Sequence, residues 1–123
     1  MNRTINELTE KLLEYNALFL KYYQQARETG EKKDFHHIIK PFVDEVESVK
    51  KEWKLLMKKR LSNSRHTHIY EKQVETTADH ISTLAIQCFF AESSKTRFLN
   101  SQRTVEYVLR EVLKEIKDMK KDA

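Results

Sequence analysis

The sequence predicts an all-α protein, an up-and-down four-helix bundle with a short extra helical turn between the first two helices. Three observations carry this reading. The 123 residues contain one glycine, Gly30, and one proline, Pro41. Sheet-rich folds need many turns, and turns draw on both residue types. Apolar residues recur at alternating three- and four-residue spacing in four separate segments, the signature of a helix with one buried face. The connections between them are short, which favours antiparallel neighbours. The whole chain, 1–123, reads as a single domain of ordinary size.

The first helix spans 5–29. Ile5, Leu8, Leu12, Tyr15, Phe19, Tyr22 and Ala26 form its seam, widened by Leu13, Leu20 and Tyr23. Thr4 is placed to cap its start, with Glu7 as the capping-box partner. Gly30 ends it, because glycine readily takes the left-handed conformation after a helix. Residues 31–41 form a connector in which Asp34 caps a short turn carrying Phe35, Ile38 and Ile39. Lys40 precedes proline and is expected outside helical geometry. Pro41 then suits the first turn of a second helix.

The second helix, 42–61, carries Phe42, Val46, Val49, Trp53 and Leu56, with Met57 beside the seam. Trp53 holds the central seam position and is expected to be buried. Residues 62–68 read as a polar loop. The third helix, 69–92, repeats the spacing through Val74, Thr77, Ile81, Leu84, Cys88 and Ala91. A second connector, 93–100, holds Arg97 and Phe98 on irregular backbone, with Asn100 as the cap of a fourth helix over 100–120. That helix presents Val105, Val108, Val112, Ile116 and Met119. This topology puts both connectors at one end. The 62–68 loop and both termini lie at the other.

Asp34-Phe35, Ile39-Lys40-Pro41, the following Trp53 and the later Arg97-Phe98 make the chain similar to the YppE-like family of small proteins from Bacillus-type bacteria. The resemblance spans about residues 5–118. It implies a four-helix up-and-down bundle and brings neither an activity nor catalytic residues.

Composition excludes several functions. With glycines absent around any phosphate-cradling position, P-loop and dinucleotide motifs are ruled out. No run of about 18 apolar residues exists to cross a membrane. Cys88 is the single cysteine, so no internal disulfide forms. Together with the lack of an apolar leader, this suggests a cytoplasmic protein. None of the five histidines follows a glutamate at three-residue spacing, which removes the carboxylate-bridged di-iron pattern. His36-His37 and His66/His68 offer too few converging ligands for a metal site. Glu7/Glu10 and Glu115/Asp118 imitate the paired acids of helical pyrophosphatases but lie off the seams. Cys88 lies on its seam, where a thiol behaves as a small apolar group. No enzyme and no cofactor are expected.

Two surfaces remain. One is the connector end, where Phe35, Phe42, Phe89, Phe90 and Phe98 gather and Phe35, Lys40, Pro41, Arg97 and Phe98 are candidate contacts for a protein partner. The aromatic residues there either close the end as a small core or line a pocket. The other is the stretch 50–72, which carries eight basic and two acidic residues, while the remainder of the chain is net negative. Its Lys50, Lys54, Lys58, Lys59, Arg60 and Arg65 are candidates for an anionic polymer such as RNA or the ribosome. The overall charge of +4 is small for a nucleic-acid binder. The expected behaviour is that of an accessory protein, a monomer or weak homodimer, with a macromolecular partner.

Overall fold

The computed structural model describes residues 4–63 and 69–121, with the side chains of 118–121 left aside. Four helices account for most of them: α1 (Ile5–Thr29), α2 (Lys40–Asn63), α3 (Glu71–Gln87) and α4 (Lys95–Lys121). No strand occurs among the described residues. Helix α1 packs beside both α2 and α4, and α3 closes the bundle against the same two. This leaves α2 and α4 on one diagonal.

Helix α1 begins and ends as its sequence dictates. Thr4 Oγ1 accepts the Glu7 N–H at 3.1 Å. Gly30, at φ 66°, donates its N–H to the Ala26 carbonyl at 2.9 Å. The seam shifts along the helix, however. Tyr23 is buried and Tyr22 only half-buried, while the polar Thr9 and Asn16 are also buried. At about 100° per residue, Tyr23 falls in the middle of the buried arc and Tyr22 at its edge. A strict seven-residue seam drifts by about 20° per heptad on a straight helix.

The buried polar groups explain how such residues enter a core. Trp53, fully buried, donates its indole N–H to Thr9 Oγ1 at 3.0 Å, and that hydroxyl donates to the Ile5 carbonyl at 2.7 Å. Asn16 Nδ2 donates to the Gln102 carbonyl at 3.0 Å, and Gln102 Nε2 returns a bond to the Asn16 carbonyl at 3.4 Å. Unpaired, such groups would oppose folding by about 1–3 kcal/mol each. The bonds they make fix α2 and α4 in register against α1, although the buried Asn16 Oδ1 has no partner among the described residues.

Several boundaries differ from expectation. Lys40 is helical, at φ −60° and ψ −47°, and opens α2. A π-turn, Phe35–Ile39, runs straight into it, and the Lys40 N–H bonds the Phe35 carbonyl. Pro41's ring would collide with the His37 carbonyl in an unbroken α-helix. The wider π-turn ahead relieves that collision. At its other end α2 extends through Asn63, where Ser62 Oγ and Asn63 Nδ2 both donate to the Lys59 carbonyl at 2.8 and 3.2 Å.

Helix α3 stops at Gln87 rather than 92. Phe89 and Phe90 donate to the carbonyls of Ile86 and Gln87 in successive turns, which turns the Phe89 ring towards α1. Helix α4 starts at Lys95, so Asn100 lies inside it. Ser94 caps it instead, taking the Arg97 N–H on its hydroxyl at 3.4 Å and the Phe98 N–H on its carbonyl at 2.9 Å. Phe98 is buried, stacked on Tyr23 with centroids 4.0 Å apart. Burial of that ring rewards one further turn of helix. No helix among the described residues is long and apolar enough to cross a membrane.

Candidate binding surface

Both connectors lie at one end. Tyr23 donates its hydroxyl to the Ser93 carbonyl, and Arg27 Nη1 donates to the Ala91 carbonyl at 3.1 Å. Phe42 is the hub of the aromatic cluster. It meets Tyr15, Phe19, Tyr22 and Phe89 edge-on, at 5.5–6.0 Å between centroids. Tyr22 and Phe89 stack at 5.5 Å. The phenylalanines therefore divide. Phe89 and Phe98 are buried, Phe42 and Phe90 are half-buried, and Phe35 is 56% exposed.

Closure of the end is incomplete. An open groove of about 390 Å³ lies between α1 and residues 30–39, here called the strap. Tyr22, Phe42 and Phe89 supply its rings, and Lys33, His37 and Ile38 its far side. A smaller hollow of about 50 Å³ adjoins it, sharing Tyr22, Gln25, Lys33 and Phe89. Beside the groove, Ile38 is 44% exposed.

Part of the strap's charge is locally matched. Asp34 Oδ1 accepts the His37 N–H at 2.8 Å and lies 2.9 Å from His37 Nδ1. These bonds, the backbone one foremost, hold the Asp34 carboxyl below its ordinary value. Lys33 stands 3.8 Å from Glu31, and Lys40 Nζ bonds Asp44 at 2.7 Å.

Of the residues expected to form a partner contact, Phe35, Lys40, Pro41 and Arg97 are exposed. Phe98 is fully buried, a correction that follows from its place in α4 rather than in a loop. Lys40 and Arg97 also stand at opposite corners, because α2 and α4 are the diagonal pair. At this end, among the described residues, the irregular backbone is that of the strap and of 88–94. Sequence reasoning missed Ile38 as an exposed contact and Tyr22 as a groove wall. Tyr22 reads as a seam residue, whereas the buried arc of α1 centres nearer Tyr23 and leaves Tyr22 at its edge.

The basic stretch is tied into the bundle. Lys50 is 14% exposed and donates to Glu47 Oε2 and Ser82 Oγ, both at 2.8 Å. Burial pushes the Glu47 carboxyl up, yet the bonds from Lys50 and Ser82 and the charges of Lys50 and Lys51 bring it below its ordinary value. Lys58 reaches Glu75 at 2.8 Å and Glu71 at 3.8 Å. The Glu75 hydrogen bond raises the Lys58 ammonium above its usual range, and Glu75 is lowered in return. Lys54 lies close enough to Glu75 to lower it further. The row thus faces α3: Lys58 and Lys54 lie beside Glu75, while Lys50 bonds the Ser82 hydroxyl and the Glu47 carboxylate of its own helix. Lys59 is exposed and Arg60 half-buried. Arg65, His66 and His68 lie outside the described residues, as do the side chains of Asp118, Met119, Lys120 and Lys121.

Among the described residues, no three His, Cys, Asp or Glu side chains converge for a metal. Burial pushes the Cys88 thiol well above its ordinary value, so it is held as the unreactive thiol. Glu7 and Glu10 point to solvent.

The comparisons with known proteins agree in direction. Residues 9–116 match the model of a bacterial domain of unknown function, DUF1798. The uncharacterized protein YppE of Bacillus subtilis is 26% identical over 116 residues, covering 94% of each chain. A crystal structure of that protein aligns with a TM-score of 0.91 at 25% identity, covering 98% of both chains. A Listeria innocua protein of unknown function aligns at 0.90 with 26% identity, covering 95% of this chain and 94% of its own. A Staphylococcus aureus DUF1798 domain shares the fold, with a TM-score of 0.80 at 22% identity over 89% of this chain and 93% of its own. The chain therefore belongs to the DUF1798 family of bacterial domains.

Proposed function

We propose that this chain is a non-enzymatic accessory protein that binds a macromolecular partner through the strap end of its bundle. The observation that carries the reading is the outward display of Phe35 and Ile38 beside a groove with aromatic walls. Large apolar side chains grouped on an exposed irregular segment mark interaction surfaces more than isolated exposed ones do. Local pairing engages Lys33, Asp34, His37 and Lys40, and the exposed Phe35 and Ile38 offer apolar contact beside them.

The test is affinity capture from the protein's own cell lysate at low and high salt, with two variants alongside. A partner retained at high salt and lost with Phe35→Ser/Ile38→Ser, at unchanged thermal stability, supports the reading. Phosphate contacts would instead weaken steeply with salt. Capture that survives the strap variant and disappears with Lys58→Glu/Lys59→Glu would contradict it.

A further inference from the structure

The strap is attached differently from the helices. Residues 30–38 are all exposed, and Ile39 is its buried anchor. Its hydrogen bonds are short-range: the Glu31 N–H donates to Thr29 Oγ1, the Lys40 N–H to the Phe35 carbonyl, and three others converge on Asp34. The Asp34 side chain takes the His37 N–H, and its carbonyl takes those of Ile38 and Ile39 at 3.0 and 3.1 Å. At the other end, Gly30 sits at φ 66° with no atom within 4 Å of where a side chain would begin. The chain there has both conformational freedom and room.

This weakly tethered segment lines both hollows. His37 and Ile38 face the larger, Glu31 the smaller, and Lys33 touches both. The opposite wall is Tyr22 and Phe89, held by the aromatic cluster. A segment with few buried contacts and solvent-exposed hydrogen bonds opens at a lower free energy than the body that carries it.

We propose that the strap is a gate. Unwinding of the π-turn, which Asp34 holds shut, lets residues 30–38 leave the groove while Ile39 stays anchored. Opening joins the two hollows into one apolar cleft over Tyr22, Phe42 and Phe89. As regulation of the proposed binding surface the gate rests on that reading, but its opening is measured without any partner.

Hydrogen exchange of the full-length chain, followed residue by residue across low denaturant concentrations, tests it. The amides of His37, Ile38 and Ile39 should exchange with almost no denaturant dependence, while those of Val49 and Trp53 follow global unfolding. Asp34→Ala should speed the strap amides by roughly fivefold or more, as expected for loss of a cap, and raise the fluorescence of the apolar dye Nile red. Asp34→Asn, which keeps the acceptor, should stay near the native chain in both readouts.

The proposal is overturned if the native strap amides share the denaturant dependence of Val49 and Trp53. It also fails if Asp34→Ala speeds exchange without added dye binding, or if Asp34→Asn opens the strap as fully as alanine. Should Asp34→Ala not fold, the native denaturant series decides alone. Should the gate open while strap substitutions leave partner capture intact, the binding reading fails and the gate stands.

Discussion

The strap end and the lysine row of α2 are both conspicuous in the sequence, and the fold treats them in opposite ways. Lys50 and Lys58 point into contacts with Glu47, Ser82, Glu71 and Glu75. Phe35 and Ile38, apolar residues that burial would favour, are left at the surface. A run of charge in a helix is thus a poor guide to a binding face when the neighbouring helix supplies the counter-charges. An exposed apolar pair on irregular backbone is the more informative departure, because packing alone does not require it.

The contrast is sharpest in stability. The largest loss is expected at the centre of the core: Trp53→Ala should cost about 3–5 kcal/mol, as deletion of a buried ring does. Chemical denaturation measures it, and a loss below about 1 kcal/mol would place Trp53 outside the tightly packed core.

That residue also shows how far the sequence is legible. The position of Trp53 between Val49 and Leu56 announces its burial, and Thr4 and Gly30 announce the limits of α1. The indole's partner is not announced, because Thr9 reads as a surface residue until α1 and α2 are docked. Asn16 and Gln102 are hidden for the same reason: their pairing spans 86 residues. Phe98 misleads in the other direction. Its neighbours Arg97 and Asn100 suggest a connector, whereas Ser94 caps the helix earlier and the Tyr23 ring draws Phe98 inside. Near Pro41 the local rule against a helical predecessor gives way to a π-turn, a device that no spacing pattern encodes.

The next effect belongs to the lysine row. Lys50→Ala should destabilise by about 1–2 kcal/mol, since it strips a half-buried carboxylate of a charge-assisted bond. Its pH dependence carries the sign. The folded-state Glu47 carboxyl is depressed, so its contribution is present above the ordinary value of 4.5 and lost as pH falls through the lower folded value. Stability-against-pH curves of the native chain and of Lys50→Ala should therefore converge in acid. Parallel curves would show that Lys50 and Glu47 do not interact.

Lys58→Ala should have a smaller effect, weakened further by salt, because its pair with Glu75 is solvent-exposed. A loss as large as that of Lys50→Ala would mean the exposed part of the row matters more than the geometry indicates. The smallest change is expected at the strap. Phe35→Ser and Ile38→Ser should each shift stability by less than about 0.5 kcal/mol, and thermal melts check this.

The lysine row is paired within the bundle, whereas the strap carries the proposed partner contact. The most direct measurement sets Lys50→Ala/Lys58→Ala beside Phe35→Ser/Ile38→Ser and records melting temperature and partner capture for both. The lysine variant is expected to melt lower and keep its partner, while the strap variant melts like the native chain and loses it. A strap variant that keeps its partner, alongside a folded lysine variant that loses it, would contradict the account.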